Sequence, residues 1–271
     1  MIVKTAAVLL FSPTGTTKKI MYEITEGMNI GKVNIINLTF PGIRNGNIPE
    51  ISEDILLVGL PVYEERIPLI SLPFLSGLRS SGKPIVLITV YGNIGDGIAL
   101  NELKSLMENS GFIPVAAGSF IGEHSFSTVE LPLAKGLPDK NELNKAQELG
   151  KMIAIKLQSI IELSQISLTI PQGKLPFITK ILPKNSARMF TKTPSEDTRL
   201  CNHCGVCVKL CPVSAINQNT LVINESLCLR CFSCVKNCGK KARNISYKKK
   251  FLVTGMLAYK NRIKKEPKIY L

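Results

Sequence analysis

The chain has 271 residues, 45% of them hydrophobic and 20% charged, with a formal net charge of +14. That length suits one large domain or two ordinary ones, and the composition excludes a disordered or collagen-like chain. No stretch approaches the roughly 20 apolar residues of a membrane span. The charge is unevenly spread: residues 1–165 carry 14 Lys and Arg against 16 Asp and Glu, whereas residues 166–271 carry 20 against 4. Such asymmetry implies two units with different partners.

Met1–Phe11 has the apolar character of a short signal peptide. It lacks a small-residue cleavage site and runs straight into a polar turn, so it reads as a buried first strand of a cytoplasmic protein. Continuous apolar runs follow at Val33–Leu38, Ile55–Leu60, Ile85–Val90 and Ile113–Ile121. Continuous runs, as opposed to alternating ones, predict strands covered on both faces. Helices are predicted over 15–28, 67–80, 97–110 and 141–162, the last behind Asp139 or Asn141 as cap. Five strands alternating with helices predict a doubly wound α/β fold with a parallel sheet.

Residues 1–163 form this first unit. Residues 164–195 break the pattern with prolines and cations and read as a basic linker. A second, smaller unit spans 196–245, and 246–271 is a basic tail.

The second unit is an internal repeat. Cys201, Cys204, Cys207 and Cys211 recur 27 residues later as Cys228, Cys231, Cys234 and Cys238, and these are all eight cysteines of the chain. A unit this small needs whatever its cysteines bind in order to fold. CNHCGVCVKLCP satisfies C-x2-C-x2-C-x3-C-P in full, whereas CLRCFSCVKNCG ends in Gly239 where proline is expected. Three cysteines at intervals of three wrap one 4Fe–4S cubane, and the fourth reaches the neighbouring cluster. One cluster is expected on Cys201, Cys204, Cys207 and Cys238, the other on Cys228, Cys231, Cys234 and Cys211. A zinc module uses paired C-x2-C motifs instead, and disulfides do not suit a cysteine-free first half. His203, lying between ligands, is expected to be exposed or supporting.

The first strand runs into Phe11-Ser12-Pro13-Thr14-Gly15-Thr16-Thr17 and then a helix. Hydroxyls and a glycine at a helix N-terminus suit a phosphate. Neither a dinucleotide fingerprint nor a Walker A loop is present. The third strand closes in Pro61-Val62-Tyr63-Glu64-Glu65-Arg66, the fourth in Tyr91-Gly92-Asn93. In a sheet ordered 2-1-3-4-5 these three loops meet at the carboxyl ends of strands one, three and four, where such sheets bind FMN. The phosphate falls to Ser12, Thr14, Gly15, Thr16 and Thr17, with Lys18 and Lys19 on a solvated helix face. The flavin ring falls to Pro61, Val62, Tyr63, Tyr91, Gly92 and Asn93. Asp96 reads as the cap of the next helix. His124, after the fifth strand, is a weak candidate proton donor whose alternative is a hydrogen-bonded structural role.

FSPTGTT, PVYEERIP and TVYGN, followed by the two cysteine runs, resemble the flavodoxin–ferredoxin fusion proteins of anaerobic bacteria and archaea. Ile94 departs from that pattern, where a basic residue is expected. The resemblance implies a flavodoxin-like sheet, a smaller α+β two-cluster ferredoxin domain, FMN and two 4Fe–4S clusters. It also implies electron transfer, either as a reductase of an unknown acceptor or as a pure carrier between redox proteins. The cationic second half suits an acidic partner such as ferredoxin. Nucleic-acid binding is not expected, and a homodimer is compatible with the sequence. The basic tail is expected to pack on the cluster domain, with contact to a membrane surface as the less favoured alternative.

Overall fold

The computed structural model describes residues 1–176 and 185–271; part of the predicted linker, 177–184, lies outside the described residues. Strands β1 (Thr5–Leu10), β2 (Lys32–Asn37), β3 (Ile55–Pro61), β4 (Pro84–Tyr91) and β5 (Ile113–Ile121) pair in parallel in the order 2-1-3-4-5. This is the doubly wound, flavodoxin-like order. Helix α1 (Thr16–Met28) follows β1, the short α2 (Pro41–Arg44) follows β2, and α3 (Leu72–Gly77) follows β3. Helix α4 (Ala99–Asn109) precedes β5 and α5 (Lys140–Ser159) follows it.

The period-2 geometry of a strand sends alternate side chains to opposite faces. Ala6, Val8 and Leu10 join the core under α1 and α5, while Ala7, Leu9 and Phe11 join the core under α3 and α4. β1, β3, β4 and β5 are therefore buried on both sides, as their sequences predict. β2 is not: as the edge strand it leaves Val33 and Ile35 exposed. Asp139 does cap α5, in a full capping box with Glu142, worth about 1 kcal/mol.

The second half adds α6 (Ala187–Phe190), the β6–β7 pair (Ser195–Glu196 with Arg243–Asn244), α7 (Val206–Lys209) and α8 (Ser233–Lys236). The chain then enters α9 (Lys250–Asn261) and β8 (Lys268–Tyr270). β8 pairs antiparallel with β5 through Ala117–Ser119, so the sheet gains a sixth strand beyond the five predicted.

The tail therefore packs on the first domain as well as on the cluster domain, where Val253 and Leu257 meet Phe232, so the expectation that it covers the cluster domain holds only in part. Lys264 pairs with Glu142 at 2.7 Å, Lys268 with Asp96 at 2.6 Å, and Lys260 with Glu65 at 3.7 Å. Part of the charge asymmetry is thus satisfied within the chain. A third core joins the parts: Phe126, Leu131 and Leu133 of the first domain, Phe232 of the second, and Val253 and Leu257 of α9. Ile94, which stands where a cation is expected, packs against this core.

Candidate cofactor sites

The loop after β1 is shaped by Gly15, whose φ of 87° lies in the left-handed region that a side chain resists. Its N–H donates to Ser12 O at 3.2 Å, and Ser12 Oγ accepts the Lys18 N–H at 3.0 Å. Thr39, from the segment after β2, accepts the Ser12 N–H on its hydroxyl at 2.8 Å and braces the loop. Thr17 is fully buried, yet its Oγ1 has no hydrogen-bond partner. An orphan hydroxyl of this kind costs about 1–3 kcal/mol. It lies in the first turn of a 13-residue helix that carries no acidic residue there, where a phosphate is favoured. The donor set of Ser12, Thr14, Thr16 and Thr17 fits such a group. Lys18 and Lys19 are exposed, as expected.

Beside this loop, the Tyr63 and Arg66 backbones bond each other in both directions at 2.9 Å. The intervening Glu64 and Glu65 both have positive φ, 56° and 62°. Two glutamates in this turn geometry store strain of the kind concentrated at ligand loops. Tyr63 packs edge-on to Phe11 with centroids 6.2 Å apart. Val62 N–H donates to Val90 O at 2.9 Å, tying the β3 exit to the β4 exit. Tyr91 has a buried hydroxyl without a partner, and burial raises its pKa.

Asn93 has another task than the one predicted. Its Nδ2 donates to Asn261 O, Asn261 Oδ1 and Ile263 O at 3.0–3.2 Å, and its Oδ1 accepts the Lys265 N–H at 2.9 Å. The amide is fully engaged by the tail and leaves the candidate ring site. Lys265 Nζ donates to Asn93 O and Ile94 O and lies 5.9 Å from the Tyr91 ring. Asp96 does not cap α4 with its side chain; its carboxylate holds Lys268 instead. Lys260, Asn261 and Lys265 thus wall the site, and nothing in their local sequence marks them for it.

His124 packs against Gly92 so closely that any side chain there would meet its ring. Its Nδ1 accepts the Phe126 N–H at 3.0 Å, leaving the proton of the neutral ring on Nε2. Burial, with Lys236 adding to it, holds the pKa down at about 4, below the ordinary value of about 6.5. The folded form therefore binds fewer protons than the unfolded form between those values. This contribution to stability is whole above pH 6.5 and is lost as pH falls towards 4. His124→Asn, whose Oδ1 can take over the Phe126 N–H, should flatten the fall of Tm between pH 7 and 4.5. An unchanged slope would rule this account out.

The cysteine repeat is duplicated in the backbone as well. Asp197 N–H donates to Ala242 O and, 27 residues on, Asn224 N–H donates to Ala215 O, both at 2.7 Å. Each repeat is thereby completed by the other. The fourth cysteines match too: Ala215 N–H donates to Cys211 Sγ at 3.2 Å and Ala242 N–H to Cys238 Sγ at 3.3 Å.

Cys211, Cys228, Cys231 and Cys234 all line one small apolar cavity, together with Pro212, Ile216, Ile223 and Phe232. Four thiols from both repeats facing one apolar space fit a cluster. Without it, burial pushes the Cys234 thiol up to about 12 and the Cys231 thiol higher still. A buried thiol needs the metal to make thiolate formation favourable.

The other group is more open, with Cys204 exposed and Cys201 and Cys207 half-buried. Glu196 and the exposed His203 place ligand atoms within 4.8 Å of one another and of Cys201 Sγ. Glu196 also pairs with the buried Arg243 at 3.2 Å. The equivalent pair in the other repeat is Ile216 facing Ile223. One site is therefore charged and open, the other apolar and enclosed.

The enclosed site sits on the phosphate-type loop. Ser233 Oγ donates to Pro13 O at 2.7 Å and Asn237 Nδ2 to the same oxygen at 3.4 Å. Arg44, buried on α2, bridges Leu38 O and Pro212 O at 2.7 Å each. Lys236 donates to Glu123 at 2.5 Å and to Ser127 O at 2.7 Å. Besides burial, the nearby Cys231 raises the pKa of Tyr63.

A family model described as a 4Fe-4S dicluster domain matches residues 193–239. No curated protein sequence matches the chain. Among solved structures, a flavodoxin from the domain Archaea is 18% identical, with 57% of this chain and 99% of that one covered and a TM-score of 0.40. The two-electron reduced flavodoxin of Megasphaera elsdenii is 20% identical, covering 55% and 98%, with a TM-score of 0.39. The rubredoxin oxygen:oxidoreductase of Desulfovibrio gigas is 15% identical, covering 58% and 37%, with a TM-score of 0.42.

Strand order and cysteine pattern define the class by fold, a doubly wound flavodoxin-like sheet domain followed by a cysteine repeat of the 4Fe–4S type. More particularly, the chain joins a flavodoxin-like sheet domain to a following segment that matches the 4Fe-4S dicluster domain model.

Proposed function

We propose that this protein passes electrons between an acidic, low-potential redox protein such as a ferredoxin and a further acceptor, acting as an oxidoreductase. Ser12, Thr14, Gly15, Thr16 and Thr17 hold the FMN phosphate, and Pro61, Val62, Tyr63, Tyr91 and Gly92 border the ring. Cys201, Cys204, Cys207 and Cys238 hold one 4Fe–4S cluster, and Cys211, Cys228, Cys231 and Cys234 the other. When bound, a cluster exchanges one electron and a flavin one or two, so the set converts between the two stoichiometries.

One observation carries the reading: Ser233, next to Cys234, donates to Pro13 in the middle of the phosphate-type loop. The enclosed cysteine site and the crevice belong to one chain and share a wall. Ser233 and Asn237 fix that wall, Arg44 braces it from behind, and the tail lysines close the β4 side.

The open cysteine site faces outward. Leu200 and Val206 are exposed beside it, with Arg199, Lys209, Lys240 and Lys241 around them. An apolar centre ringed by cations suits an acidic protein. Lys209→Glu combined with Lys240→Glu should slow association with an acidic ferredoxin about tenfold at low salt and flatten its salt dependence. Stopped-flow rates that ignore both salt and substitution would argue against this surface.

The function itself is tested by cofactor stoichiometry and stepwise reduction of anaerobically purified protein, followed by absorption and electron paramagnetic resonance. About one FMN and eight irons per chain, reduced in sequence, are expected. Iron without flavin, or zinc in place of iron, would overturn the reading. The alternative is a pure carrier, which would reoxidise only with redox proteins. It is favoured by the absence, among the described residues at the crevice, of a titrating acid–base pair, since His124 is neutral at pH 7.

A further inference from the structure

Among the described residues no helix is long and apolar enough to cross a membrane, yet α9 has two apolar faces. One, carrying Val253 and Leu257, is buried in the third core. At 100° per residue the opposite face carries Phe251, Leu252, Gly255, Met256, Ala258 and Tyr259, without a single charge. These residues are exposed, Phe251 at 93% and Leu252 at 71%. A helix of a water-soluble domain normally turns charge outward.

Cations stand at both ends of this face. Lys248, Lys249 and Lys250 are exposed at its start, and among the described residues none of them makes an ion pair. Lys250 acts on the carboxyl of the exposed Glu130 without forming an ion pair with it. Three lysines at the positive end of a helix dipole repel that end, so an anion supplied from outside would stabilise them. At the other end, Arg262 lies 4.1 Å from the Tyr259 ring.

We propose that α9 lies on an anionic lipid surface, with Phe251, Leu252, Met256 and Tyr259 inserted at the headgroup boundary and the flanking cations on lipid phosphates. A second copy of the chain does not suit this face. Antiparallel pairing would set the Lys248–Lys250 end of one helix against the Arg262 end of the other, cation against cation. The proposal does not depend on which cofactors are bound.

The test is sedimentation of the full-length protein, purified anaerobically, with vesicles of phosphatidylcholine alone or with phosphatidylglycerol added. Binding to the anionic vesicles only is expected. Phe251→Ser with Leu252→Ser should weaken it about tenfold, and each of Lys248→Gln, Lys249→Gln and Lys250→Gln about fivefold. The substituted side chains are exposed, so the visible spectrum and circular dichroism should not change. Failure to sediment with anionic vesicles, equal binding to neutral ones, or binding indifferent to Phe251 and Leu252 would overturn the proposal. So would a concentration-dependent dimer that the Phe251/Leu252 variant dissolves, since that would assign the face to a second copy.

Discussion

Cys211→Ser is expected to halve the iron, from about eight to about four per chain, by removing the cluster whose other ligands lie in the second repeat. The reason is the exchange between repeats: Cys211 lines the same cavity as Cys228, Cys231 and Cys234. Double substitutions make the expectation sharp. Cys211→Ser with Cys231→Ser should cost no more iron than either alone, because both serve one site. Cys211→Ser with Cys207→Ser should remove both clusters. Ligation within each repeat predicts the reverse, so iron content distinguishes the two arrangements directly. Because Asp197 bonds Ala242 and Asn224 bonds Ala215, losing one cluster also loosens the half that keeps its own. A fall in Tm of roughly 10 °C or more is expected for each single variant.

Thr17→Val should lower FMN affinity by about tenfold to a hundredfold while leaving the flavin-free protein as stable as before, or slightly more so. The Thr17 hydroxyl is buried without a partner, so within the protein alone its removal relieves a desolvation cost. With a phosphate in the loop, the same removal deletes a charge-assisted hydrogen bond of about 1.5–3 kcal/mol. Flavin fluorescence titration and a melting curve of the flavin-free protein read the two effects separately. Unchanged affinity would take Thr17 out of the phosphate cradle. A large loss of stability without flavin would make the hydroxyl a structural group.

Much of the sheet domain is legible in the chain because its signals are local. A run such as Ile55–Leu60 is apolar on both faces and has one comfortable place, between helices. Asp139 caps α5 through atoms three residues away. The cysteine spacing is equally local, since a cubane constrains how closely three thiolates follow one another. β2 is the instructive exception. It carries Lys32, Asn34 and Asn37 among its six residues, and at the edge, where only β1 pairs with it, Val33 and Ile35 reach solvent.

The misread residues are those whose partners lie far along the chain. Asn93 at the end of β4 has the look of a ligand group, yet its hydrogen bonds go to Asn261, Ile263 and Lys265. Asp96 has the look of a cap and holds Lys268. The tail lysines look like a free basic segment. Three of them, Lys260, Lys264 and Lys268, face acids of the first domain, and β8 is too short to announce itself before it meets β5.

By itself, then, the sequence determines the doubly wound sheet, the loop chemistry at its carboxyl end and the cysteine pattern, all encoded by neighbours within a turn or a strand. Only the tertiary structure decides that the enclosed cysteine site rests on Pro13, that the tail walls the crevice, and that α9 keeps one apolar face outside. Those outcomes depend on pairings between residues more than 100 positions apart, whose energies exist only once the chain has closed on itself.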